Sequence, residues 1–174
     1  MKIEQILLQS VVGEKEVDFY IPVKISFKDN DDKDKELFYY RMFNSKSSFI
    51  EVSINSITYK IVNITLVSAN NLKQIENICI NAPIEEGNPI IDMNIFKEKH
   101  IITDNVDFNI FRHDKKIYIL QELTTVYKQL VMDAVTLILD EQSNITGFVF
   151  KDFSEVEWEE INESIDCSVG GMIN

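Results

Sequence analysis

Little in this chain carries chemistry by itself. Its 174 residues include only two cysteines, two histidines, three prolines, five glycines and one tryptophan. Cys79 and Cys167 are far apart and form no CxxC pair, so no zinc-ligand or dithiol redox spacing is encoded. They read as two separate reduced thiols. His100 sits in the charged stretch KEKH and His113 in RHDK. Such loop histidines are more often solvated than catalytic. There is no GxGxxG, P-loop, HExxH or GxSxG, which removes the usual signatures of dinucleotide, nucleotide, metalloprotease and serine-hydrolase sites. With 29 acids, paired carboxylates occur everywhere, and choosing one pair would carry no information. An enzyme is unsupported, and no cofactor or metal is expected.

Long apolar runs are missing too. The longest stretch without a formal charge, Ile61–Leu72, is 12 residues with three asparagines. A membrane span needs about 20 apolar residues. Glu4 and Gln5 interrupt the N-terminal apolar residues Ile3, Ile6, Leu7 and Leu8, which does not fit a signal peptide. The expectation is a cytoplasmic protein, in which the Asn-Ile-Thr triplets at Asn63 and Asn144 have no meaning as glycosylation sites. Basic residues are the scarcer charge, 17 against 29 acids, for a net −12. Nucleic acid is disfavoured as a ligand, because phosphate binding needs a basic footprint.

What remains is a chain rich in strand-forming residues. Ile3–Val12 reads as a strand and Gly13–Glu16 as a turn. Val17, Phe19, Ile21, Val23, Ile25 and Phe27 alternate, the period of a half-buried antiparallel strand. Pro22 argues for an edge position or a bulge. Residues 28–35, KDNDDKDK, fail the spacing of a calcium loop and read as a solvated connection. Leu37–Phe43, LFYYRMF, reads as the hairpin partner of the preceding strand, and core packing is the commoner use of such a run. Phe49–Val67 gives two strands with a turn or bulge between them. Asn70 and Asn71 suggest the cap of a short helix carrying Leu72, Ile75 and Cys79 on one face. Ile90–Phe96 reads as a strand. Val106–Ile110 and Ile117–Leu120 form a hairpin around His113–Lys116. Leu123–Met132 fits either a helix or a strand.

The strongest local signals lie from Ala134 to Asp166. Two apolar runs, Ala134–Leu139 and Ile145–Phe150, flank a polar loop and carry apolar residues on both faces. That pattern predicts a central hairpin. A helix start follows, with Ser154 as N-cap, Glu157 as its capping-box partner, and Phe153 and Trp158 in the staple positions. Trp158, Ile161 and Ile165 mark the inward side of that helix. The fold expected is α+β: predominantly antiparallel β-sheet with a C-terminal helix packed on it. One domain over residues 1–167 is expected, with a candidate subdomain boundary at 81–89 and a flexible tail over 168–174.

The distribution of negative charge asks for an explanation. From Lys151 onward there are seven acids and one base, half the net charge of the chain. Glu159 and Glu163 form a like-charge pair one helical turn apart, which costs about 0.2–0.5 kcal/mol. The bland account is a solvated helix face. The sharper one is a partner-binding face formed by Glu155, Val156, Glu159, Glu160 and Glu163. On that account the protein is a non-enzymatic binding module for a basic protein, an inhibitor or immunity-type protein that neutralises a basic toxin or nuclease. Alternatives are a small-molecule-binding or enzymatic domain with a pocket lined by Leu37–Phe43, or a structural subunit of a phage or secretion assembly. Composition does not fix the oligomeric state.

Overall fold

The structure, a computed structural model, describes residues 1–28, 36–45, 47–70, 72–122 and 124–170, with only the backbone of 166–170. The strands are β1 (Ile3–Leu7), β2 (Gly13–Glu16), β3 (Val23–Phe27), β4 (Leu37–Phe43), β5 (Phe49–Asn55), β6 (Ile61–Ser68), β7 (Lys73–Gln74), β8 (Ile84–Glu86), β9 (Asn88–Ile91), β10 (Ile101–Asn105), β11 (Phe108–His113), β12 (Lys116–Gln121), β13 (Lys128–Met132), β14 (Val135–Leu139) and β15 (Ile145–Phe150). A short 3-10 helix, Met93–Phe96, and one α-helix, α1 (Glu155–Gly170), complete the set. This is a mostly antiparallel α+β fold with a single C-terminal helix, as the residue pattern predicts.

Two large sheets hold most of the chain. The six-stranded sheet has the order β10-β4-β5-β6-β3-β2, and the seven-stranded sheet the order β7-β11-β12-β15-β14-β13-β8. β1 and β9 form a separate pair. One buried cluster draws on both large sheets and on α1, including Ile25, Ile50, Leu66, Ile117, Phe148 and Trp158. The six-stranded sheet is half-buried, so Val23, Ile25 and Phe27 face the core while Lys24 and Ser26 face out. In the seven-stranded sheet every residue of β14 and β15 is buried, as expected for a hairpin with apolar residues on both faces. Asp140 shapes the β14–β15 loop by accepting hydrogen bonds from the Gln142 and Asn144 amides at 2.9 and 2.8 Å.

Several local readings change. Gly13–Glu16 is a strand, not a turn, and pairs along β3. Gly13 allows this close approach, since a Cβ there would meet Ile25 Cγ2 at 2.9 Å. Glu14 and Glu16 then bridge to Lys28 and Lys24 across the edge. The alternation over Val17–Ile21 belongs to a bend instead. Asp18 accepts from the Tyr20 amide at 2.7 Å and donates its own amide to the Ile21 carbonyl at 3.1 Å. Pro22 stands just before β3, which is an interior strand rather than an edge. β4 pairs with β5 and β10, not with β3. Register with its true neighbours buries Tyr40 and Met42, so the aromatic run packs the core.

The helix expected after Asn70 is absent among the described residues. Lys73–Gln74 pairs parallel to β11, and the Ile75 amide donates to the Arg112 carbonyl at 3.1 Å. Asn71 lies outside the described residues. The strand read over Ile90–Phe96 stops at Ile91, where Asp92 caps the 3-10 helix by accepting from the Asn94 amide at 3.0 Å. The ambiguous stretch ending at Met132 forms a strand, Lys128–Met132, joined to β14 through Asp133 at φ 51°. Leu123 and residues 29–35 lie outside the described residues. α1 runs to Gly170, into the residues read as a tail, and 171–174 lie outside the described residues. No helix among the described residues is long and apolar enough to cross a membrane.

Candidate functional site: the acidic face of the C-terminal helix

The start of α1 is built as its sequence specifies. Ser154 Oγ accepts the Glu157 amide at 3.3 Å, and Glu157 Oε2 accepts the Ser154 amide at 2.7 Å. Phe153 and Trp158 meet at 5.0 Å between ring centroids, both buried. The Phe153 amide donates to the Lys115 carbonyl at 3.2 Å and ties the helix entry to the β11–β12 turn.

Two cations support the inward face, and sequence reasoning did not find either. Lys15 reaches from β2 to within 3.1 Å of the Glu157 carboxylate and donates to the Asp152 carbonyl at 2.6 Å. Its ammonium also stands 4.6 Å from the Phe153 ring centroid. The Arg112 guanidinium lies 3.9 Å from the Trp158 ring centroid and donates to Asn162 Oδ1 at 3.4 Å. Contacts of this kind bring together residues more than forty positions apart, so no local pattern announces them. Burial raises the Glu157 carboxyl, but hydrogen bonds from Ser154 and Lys15 and the lysine charge outweigh it. The net pKa lies below the ordinary 4.5.

The outward face is the reverse of this. Glu155, Val156, Glu159, Glu160 and Glu163 are all exposed, Val156 at 64%. None of the four carboxylates makes an ion pair with a described residue. Lys15 and Arg112 are committed to the opposite side of the helix. Trp158, Ile161 and Ser164 are buried and Ile165 is half-buried, so the expected inward stripe gains Ser164. The Asp166 and Cys167 side chains lie outside the described residues.

The other candidates are placed apart from this face. His100 Nδ1 is 2.9 Å from Glu36, and the ring packs beside Phe38. His113 Nδ1 lies 3.3 Å from the Ile75 carbonyl oxygen. Tyr40 of the aromatic strand donates its hydroxyl to Asp104, and burial first, then Asp104, raises its pKa. Phe43 stacks on Phe49 at 4.2 Å. These contacts make Tyr40 and Phe43 part of the packing. Among the described residues no three His, Cys, Asp or Glu side chains converge as a metal site. Sequence reasoning also missed the loop tip Phe19-Tyr20-Ile21, which it assigned to a strand. Tyr20 is 83% exposed and meets Phe19 edge-on at 5.1 Å. Compared with known protein families and curated proteins, the chain matches no family model and no individual sequence.

Proposed function

We propose that this protein is a non-enzymatic binding module that engages a basic protein partner through the outward face of α1. Within that class the reading is an inhibitor or immunity-type protein that neutralises a basic toxin or nuclease. The observation that carries it is the unbalanced charge: Glu155, Glu159, Glu160 and Glu163 surround exposed Val156 without an ion pair to any described residue. Such a surface steers a basic partner and rejects acidic ones. Rigid anchoring by the capping box and the Trp158 contacts fits the same reading, since a preorganised surface loses less entropy on binding. The exposed Phe19 and Tyr20 are the residue types that anchor protein interfaces.

The test replaces Glu159, Glu160 and Glu163 with Gln. Gln is a good helix former of the same size, and the change removes the Glu159–Glu163 repulsion. The fold should melt at the same temperature or slightly higher. Binding to the basic partner recovered from the source cell should weaken. The association rate should fall more than the dissociation rate rises, and added salt should mimic the change. Val156→Asp should weaken binding further. A triple variant that binds as fast and as tightly as wild type would return α1 to the role of a solvated face.

A further inference from the structure

We propose that the outer face of the seven-stranded sheet holds a binding cleft for a small amphipathic organic anion, such as a carboxylate on an apolar body. This site is separate from α1 and independent of the reading above. Strand registry sets its floor. Tyr118 pairs with Val149, Val149 with Thr136, and Thr136 with Val131, so these four side chains form one outward row. The roof is the segment after β7. Ile78 and Ile80 pack over the buried Tyr118, Ile138 and Val149. Gln129 pins the roof by donating to the Ile80 and Ala82 carbonyls at 3.2 and 3.0 Å. The space left between them is a cleft of about 370 Å³. That lies within the range of small-ligand sites, roughly 300–1,000 Å³.

The polar groups in this cleft are what a roofed apolar sheet does not need. The ladder that sets Ile117 opposite Phe150 ends with Lys116 and Lys151 side by side, both half-buried and both lining the cleft. Neither makes an ion pair with a described residue. In a chain of net charge −12 with carboxylates in excess, two such lysines lining one cleft stand out. Tyr118 and Thr136 also line the cleft and are 7% and 5% exposed, yet neither hydroxyl makes a hydrogen bond with a described residue. Neither hydroxyl oxygen is sealed off as a fully buried unbonded atom, so both open to the cleft and can donate to a bound acceptor. Burial first, then Asp114 and Cys79, holds the Tyr118 hydroxyl above its ordinary 10.0, so it remains a neutral donor. Two ammoniums and two hydroxyl donors beside Val149, Ile78 and Ile80 match an anionic head on an apolar body. The limited volume favours a small molecule over a protein segment.

The probe is 8-anilinonaphthalene-1-sulfonate, an amphipathic anion whose emission rises and shifts to the blue in an apolar site. Wild type should bind it saturably at one site, octanoate should displace it, and octanol and inorganic phosphate should displace it far less. Octanol or phosphate competing as well as octanoate overturns the proposal, as does the lack of saturable binding. Lys116→Gln with Lys151→Gln should weaken probe binding at least tenfold, the loss expected for one charged hydrogen bond. Thr136→Val, which keeps the side-chain shape, should weaken it several-fold. Unchanged affinity in both variants overturns the proposal. The triple Gln variant of α1 should bind the probe as wild type does, which keeps this test apart from that of the helix. Cys79 is exposed and lines the cleft, so it provides a second readout. In a Cys167→Ser background, octanoate should slow the reaction of Cys79 with a disulfide reagent several-fold, and no protection overturns the proposal.

Discussion

Two rows of side chains, one across the outward face of each large sheet, show how differently the same architecture is finished. On the six-stranded sheet the row reads Glu16, Lys24, Thr65, Glu51, Arg41 and Thr103. On the seven-stranded sheet it reads Phe111, Tyr118, Val149, Thr136, Val131 and Glu86. The first row is a charge ladder that water can finish, with Arg41 and Glu51 at 2.7 Å. The second is apolar through most of its length and must be covered, and the segment carrying Ile78 and Ile80 covers it. The cleft beside Lys116 and Lys151 exists because that cover is incomplete. An outward face made of charges carries its own solvation, whereas an outward face made of Val and Tyr creates the need for a partner, from its own chain or another.

Substitutions can break this comparison, beginning with the largest effect. Trp158→Ala removes the buried aromatic that joins α1 to the shared core and should cost roughly 3–5 kcal/mol, read from urea unfolding. Against a total stability of about 5–15 kcal/mol this leaves a marginal fold. Wild-type tryptophan emission should be blue-shifted, because Trp158 is 3% exposed. Next are the two outward faces. Ile138→Ala, beneath the roof, should cost about 2–5 kcal/mol as a core deletion. Glu51→Gln, in the charge ladder, should cost under about 1 kcal/mol as a surface ion pair. Equal losses at Ile138 and Glu51 would show that the two faces do not differ as described.

Smaller effects concern the helix entry. Ser154→Ala should cost about 1 kcal/mol through loss of the cap. Glu157 adds a pH dependence. Its folded-state pKa lies below 4.5, so its contribution is complete above that value and is lost as pH falls through the folded-state pKa. Glu157→Gln should therefore destabilise at neutral pH and flatten the acid limb of stability against pH. An acid limb identical to that of wild type would contradict the Lys15–Glu157–Ser154 arrangement.

Legibility followed the range of the interactions. The β14–β15 hairpin, the capping box and the Phe153–Trp158 staple are contacts between near neighbours in the chain, and their residues stated them. Gly13–Glu16 misled because its glycine and charges resemble a turn, while its strand state depends on β3 and on the Asp133 carboxylate that accepts the Gly13 amide at 2.9 Å. The stretch after Asn70 misled because helical spacing of Leu72, Ile75 and Cys79 is also compatible with an extended roof. Arg112 beneath Trp158 and Lys15 beneath Phe153 come from distant strands and left no trace in the local pattern.

The residues alone determined the β-rich class, the closing helix, which of its sides is buried and the excess of carboxylate on the other. These follow from period, propensity and short-range capping, which act within a few residues. Only the tertiary structure decided that Lys15 and Arg112 are drawn to the underside of α1, and that its outward carboxylates make no ion pair with a described residue. It alone set Lys116 beside Lys151 and placed the Tyr118 and Thr136 hydroxyls in one cleft. Strand order and register bring those groups together, and both are fixed by burial summed over the whole sheet, which no local window of the chain contains.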